Sequence, residues 1–184
     1  MNEFEREVGK TFQQYRDARV ASLVFLHPPM RVGGMMGKQP CFVQTGKAPF
    51  DVAGIYYDKA GTAIGLELKQ TADHETSLPI VGPDKKGNGL QYHQLAALVE
   101  VHQAGGVALA LWNNGGEVGL LTGDAIQLAK IQYDASLKAE QAGKEITRGS
   151  RSILWGMFKP VKDGHGGAPL WLPASPVDKR KKAA

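Results

Sequence analysis

Asp51, Glu67 and Lys69 bring two carboxylates and an ammonium into one stretch of the chain, Phe50 to Thr71, which reads FDVAGIYYDKAGTAIGLELKQT. Carboxylates are hard oxygen ligands of the kind Mg²⁺ prefers, with Mn²⁺ as a substitute. The backbone carbonyl of Leu68 is available as a third ligand. A cation held this way keeps waters, one of which can become a nucleophile. Lys69, two residues beyond Glu67, can position or deprotonate that water, or steady charge building on a phosphate. The chemistry is metal-assisted hydrolysis, and a phosphodiester is its natural substrate. The same residues also fit a plainer description, a cross-strand Asp–Lys ion pair beside a glutamate on a solvated sheet face. Glu-x-Lys by itself is a common tripeptide.

The element that must position these groups is a β-hairpin. Asp58-Lys59-Ala60-Gly61 suits a type I turn closed by a glycine in the left-handed region. A three-residue loop pairs Asp58 with Thr62, Ala53 with Glu67 and Asp51 with Lys69. Side chains alternate across a strand, so Asp51, Glu67 and Lys69 share one face and Leu66 and Leu68 enter a core on the other.

The remaining chain supplies supporting elements. Phe4, Val8, Phe12 and Tyr15 recur at helical spacing and predict a helix over residues 3–18. Asn2 and Glu5 are placed to form a capping box at its start. Glu5 also borders the apolar stripe, so it is open to a second role at the edge of a site. Val20 to Leu26 is a β-rich run stopped by His27-Pro28-Pro29. The excursion over 29–48 is glycine-rich and basic, with a short strand at Cys41 to Gln44. It is either functional or a poorly ordered surface loop. Residues 72–89 are turn-rich and read as mobile, and Asp73-His74-Glu75 reads as solvated. A helix follows over Leu90 to Ala104, with His93 and Gln94 in its first turns. Val107 to Trp112 and Val118 to Leu121 flank a hairpin turn at Asn113-Asn114-Gly115-Gly116. Asp124 caps a short helix to about Gln132, and Ala135 to Gly143 can continue it. Ile153 to Phe158 fits either a strand or a helix, and Leu170-Trp171-Leu172 packs on the body. This order predicts an α/β domain with a mixed sheet and helices on both faces.

The chain of 184 residues suits a single domain over 1–176 followed by a basic, flexible tail over 177–184. It shows no apolar run long enough for a membrane span and no secretory leader. Its one cysteine, Cys41, agrees with a reducing cytoplasm. The net charge of +4 belongs to Lys179-Arg180-Lys181-Lys182, since the remaining basic and acidic residues balance. Two acid-poor segments stand out. Residues 18–50 contain no acid but carry Arg31, Lys38 and Lys47, and residues 144–162 carry Arg148 and Arg151 among their bases. Both suggest contact with a polyanion, and each alone is equally a solvated face.

Taken with their flanks, these residues resemble the PD-(D/E)xK nuclease superfamily, and within it the RecU-type Holliday junction resolvases. Pro49-Phe50-Asp51 resembles the superfamily's Pro-Asp motif with one residue inserted, and Glu67-Leu68-Lys69 its E-x-K. Glu67 to Thr71 is similar to E-A-K-x-T, Thr76 to Ile80 to T-S-F-P-L, and His93-Gln94 to the His-Gln of the next helix. The likeness covers roughly residues 3–125. It implies a restriction-endonuclease-like sheet flanked by helices, in a homodimeric, Mg²⁺-dependent endonuclease that cuts four-way DNA junctions symmetrically in a bacterial or phage-infected cell. It also implies that Asp51 and Glu67 bind metal, that Lys69 is the catalytic lysine, that Glu5 lies near the metal, and that Gln94 is a supporting or DNA-facing residue. The excursion falls where these proteins project a stalk into the junction, and here it is shorter. Two other readings compete: a nuclease of the same fold acting on plain duplex DNA, and a non-catalytic DNA-binding module.

Overall fold

The computed structural model describes residues 2–27, 30–36, 39–44, 47–58, 60–82, 87–146, 149–161 and 172, with the backbone alone for 30–36 and 39–44. In chain order the elements are α1 (Glu3–Asp17), β1 (Ala21–Phe25), β2 (Met30–Met36), β3 (Gln39–Gln44), β4 (Val52–Tyr56), β5 (Ala63–Thr71), β6 (Ser77–Val81) and β7 (Leu90–Gln91). These are followed by α2 (Tyr92–Gln103), β8 (Val107–Asn114), β9 (Glu117–Thr122), α3 (Gly123–Gln141), β10 (Ser152–Leu154), a 3-10 turn at Trp155–Met157 and β11 (Lys159–Pro160).

The central sheet has the order β1-β4-β5-β8-β9-β11. It is mixed. β5 and β8 run parallel, because α2 carries the chain back between them, and the other neighbours are antiparallel. Strand alternation splits the core in two. Leu66 and Leu68 of β5, with Leu109 and Leu111 of β8, pack under Phe4, Val8, Phe12 and Tyr15 of α1. Ala108, Ala110 and Trp112 face the other way, against Leu95, Leu98 and Val99 of α2 and Ile126, Ala129 and Tyr133 of α3. Helices therefore cover both faces of a mixed sheet, as the element order predicts. Leu172 packs on the α1 side, where its amide donates to the Tyr15 hydroxyl at 3.0 Å. Among the described residues no helix is long and apolar enough to cross a membrane.

Several expectations are corrected. The β4–β5 hairpin is offset by two residues: Val52 pairs with Leu66 and Ala53 with Gly65. The cause lies in the turn. Asp58 Oδ1 accepts from the Thr62 amide at 3.0 Å and Oδ2 from the Thr62 hydroxyl at 2.8 Å. The ladder therefore begins only at Tyr56, whose amide donates to the Thr62 carbonyl at 2.9 Å. Gly61 takes the left-handed conformation the turn requires, with φ of 62°. The excursion is not an irregular loop with one short strand. β2 and β3 form a two-stranded antiparallel ribbon with a register shift between Val32 and Gly34. Residues 72–82 are also more regular than predicted, because β6 pairs with β10 and with β7 in a small second sheet. Pro79 fits there because the Ile80 amide donates to Arg151 and the Trp155 amide to the Thr76 carbonyl. Hydrogen bonds to β10 thus fall on alternate residues of β6, and Pro79, opposite Ser152, sits at a non-hydrogen-bonded pair. α3 runs unbroken through the predicted continuation, and its N-cap position is Thr122, not Asp124, which lies in the first turn. Ile153 to Phe158 resolves into β10 and the 3-10 turn.

Candidate active site

The two-residue offset preserves side-chain parity, so the three candidate groups still meet. Continuing the β4–β5 ladder by one step sets Asp51 opposite Glu67 rather than Lys69. Two bonds fix Asp51. Its carbonyl accepts from the Leu26 amide at 2.8 Å, and its Oδ2 accepts from the Leu68 amide at 2.8 Å. In an extended strand the N–H and C=O of one residue point to the same side. The Leu68 carbonyl therefore leaves β5 on the Asp51 side, beyond the last paired residue of β4.

Glu67 is fully buried, and neither carboxylate oxygen accepts a well-aligned hydrogen bond. The Lys69 ammonium stands 2.6 Å from Oε1. Burial pushes the Glu67 carboxyl up to about 8; the Lys69 charge opposes this and the neighbouring Asp51 carboxylate adds to it. A buried carboxylate beside a second carboxylate, with spare oxygen lone pairs and one ammonium, is electrostatically incomplete. A divalent cation with oxygen ligands fits that deficit. Asp51, Glu67 and the Leu68 carbonyl are the groups that would hold it, leaving coordination positions for water and phosphate. Among the described residues no cluster of three or more His, Cys, Asp or Glu side chains could hold a metal ion.

The other predicted residues are placed as follows. Glu5 closes a capping box: its Oε2 accepts from the Asn2 amide at 2.9 Å, and its own amide donates to Asn2 Oδ1 at 2.8 Å. Its helix packs on the sheet face opposite to Glu67. Gln94 Oε1 accepts from the Gln91 amide at 3.0 Å and serves the start of α2. Lys47 is exposed, and its charge reaches the site through His93. Arg151 bonds Glu140 and Ser136 and lies over the Tyr133 ring, tying the turn before β10 to α3. The side chain of Arg31, and both Lys38 and Arg148, lie outside the described residues.

Two supporting residues were not among the predicted site residues: His93, noticed in the sequence but given no role, and Asn114. His93 contacts the Ala48 backbone, three residues before Asp51. Burial and then the Lys47 charge lower its pKa, with Lys69 adding to the effect. Asn114 is fully buried. Its Oδ1 accepts from the Thr71 hydroxyl at 3.0 Å and the Glu75 amide at 2.7 Å, while its Nδ2 donates to the Glu75 carbonyl at 2.8 Å. The Trp112 indole N–H donates to the Thr71 hydroxyl at 3.1 Å. This network fixes the chain immediately after Lys69. Its only sequence signal was an Asn-Gly pair, which reads first as a turn. Beside it, a cleft of about 480 Å³ opens at Lys69.

No known family's sequence model matches this chain, and no curated protein matches it.

Proposed function

We propose that this chain is a structure-selective endodeoxyribonuclease that resolves four-way DNA junctions by Mg²⁺-dependent hydrolysis, as its resemblance to RecU-type resolvases implies. The observation that carries the reading is the convergence of Asp51, Glu67 and Lys69 on one sheet face beside an open cleft. A bound Mg²⁺ supplies charge stabilisation at the phosphate and an acidified water. Asp51 and Glu67 orient the reacting centre from two strands, and the Asp51–Leu68 bond holds those strands in register. Lys69 lines the cleft, and its ammonium can manage the proton of the attacking water or the charge on the phosphoryl oxygens. Lys47, exposed nearby, suits the flanking phosphates. Cutting two opposed strands of a junction needs two sites related by a two-fold axis, so the working species is a homodimer.

The test is incubation with a synthetic four-way junction and Mg²⁺ or Mn²⁺, with chelator as control and linear duplex as competitor. Symmetric nicking of the junction that is lost in Asp51→Ala supports the reading. Equal cleavage of linear duplex would favour a plain-duplex nuclease. Metal-independent binding without cleavage would favour a non-catalytic module.

A further inference from the structure

Helix α3 is apolar on two sides. Ile126, Ala129 and Tyr133 face the sheet and are buried. On the outer side Leu128 and Ile131 are 47 % and 57 % exposed, and Ala135 is exposed one turn further on. A helix that keeps an apolar stripe in water marks a surface made to be covered. The exposed residues Asp124, Leu128, Ile131, Ala135 and Lys138 follow one another at steps of four, three, four and three, the spacing of a two-helix seam. The stripe runs on into a groove of about 540 Å³, lined by Gln132, Ala135 and Ala139 of α3 and by Leu154 and Met157. Leu154 is itself 57 % exposed. The two ends of the stripe carry opposite charges. At the start, Asp124 Oδ1 stands 3.2 Å from His102 Nε2, and the Asp124 side chain is 94 % exposed. Lys138 is exposed in the last turn.

We propose that the outer face of α3 is the seam of a homodimer, in which α3 packs antiparallel against α3 of a second copy. The inference deepens the nuclease reading, on which its functional meaning rests, by naming the surface at the two-fold axis. Charge selects the occupant and its direction. A parallel pair would set Asp124 on Asp124 and Lys138 on Lys138. An antiparallel pair with Leu128 opposite the partner's Ile131 brings Asp124 within a turn of the partner's Lys138, and the two-fold makes that contact twice. The groove and Leu154 widen the contact beyond one helix pair, as a stable dimer of standard size requires. Glu67 pairs with Ala110, which lies on the sheet face that α3 covers. The Glu67 clusters of such a dimer therefore sit on facing sheets about one axis, as paired cuts in two opposed strands demand.

Sedimentation of the full-length protein tests the seam without DNA. Wild type is expected at twice the chain mass of 19.8 kDa. Ile131→Arg, a change on the exposed face, should give a monomer with the circular dichroism of wild type. Asp124→Lys should weaken the dimer about tenfold, and adding Lys138→Asp should restore it. A wild type that is monomeric at about 100 μM, where even a weak dimer forms, would overturn the seam. So would an Ile131→Arg variant that stays dimeric, or a double charge swap that fails to recover the dimer. Any of these with junction cleavage by wild type intact would leave the nuclease reading standing. On a supercoiled plasmid carrying a four-way junction, wild type should linearise the DNA and Ile131→Arg should only nick it. No cleavage by wild type, with the masses as expected, would remove the nuclease reading and leave the seam in place.

Discussion

The Lys69 ammonium lies 2.6 Å from Glu67 Oε1, yet the two side chains belong to different environments. Glu67 is sealed in the sheet, whereas Lys69 reaches the cleft. The lysine is the counter-ion of a carboxylate that lacks other partners. A divalent cation bound by that carboxylate would free the ammonium for a substrate.

Lys69→Ala should therefore lower junction cleavage by about 10²- to 10⁴-fold, the usual range for a positioned proton-transfer group. Junction affinity, measured by gel shift in Ca²⁺, should stay within about threefold of wild type, since one phosphate contact at most is lost. Near-normal cleavage by this variant would assign Lys69 a purely structural role.

The buried carboxyl makes stability depend on pH. Glu67 titrates near 4.5 when unfolded and near 8 when folded without metal. Its stabilising contribution is intact below the lower value, declines as pH rises and is gone above the higher one. The melting temperature of metal-free protein should fall between pH 5 and 8, and Glu67→Gln should flatten that fall. Mg²⁺ should stabilise the wild type more at pH 8 than at pH 6, because the ligand must lose its proton. Parallel melting curves for the two proteins would contradict the assignment.

Asn114→Ala leaves the Glu75 amide and carbonyl without their partner in a part-buried setting. Each orphaned group costs about 1–3 kcal/mol. A loss of about 2–4 kcal/mol is expected in urea unfolding, with cleavage reduced because the chain after Lys69 loses its anchor. An unchanged midpoint would show that the network contributes nothing.

Glu5 carries two competing roles that one pair of variants separates. Glu5→Ala removes the capping box and should cost about 1 kcal/mol, while Glu5→Gln keeps it and should cost little. On the observed geometry Glu5→Gln should also retain most cleavage. A drop beyond tenfold at unchanged melting temperature would instead place this carboxylate at the metal.

Replacing Lys38 and Lys47 by alanine should weaken junction binding and reduce its salt slope by about one or two. An identical slope would show that the ribbon and its base do not touch phosphate.

The clustering of Asp51, Glu67 and Lys69 was legible in the sequence because parity is robust. Asp51, Glu67 and Lys69 keep a common face under any even offset, so the two-residue error at the turn did no harm. The offset itself was hidden, since it depends on the Asp58 side chain taking the Thr62 amide. β6 was hidden by Pro79, which argues against a strand unless the unpaired position is known. Asn114 was hidden for another reason. Its partners are Thr71 and Glu75, some 40 residues earlier, and only β5–β8 pairing brings them together. Long-range pairing of this kind leaves no local pattern to read.

Gly61 closes the turn at the far end of the two strands from Asp51 and Glu67, and it has open space around it. Extra residues spliced there would lengthen an exposed tip without altering how Asp51 meets Leu68, since the rungs in between set that spacing. The tip is thus a natural place to graft a fluorophore tag or a purification handle that leaves the Asp51, Glu67 and Lys69 cluster undisturbed.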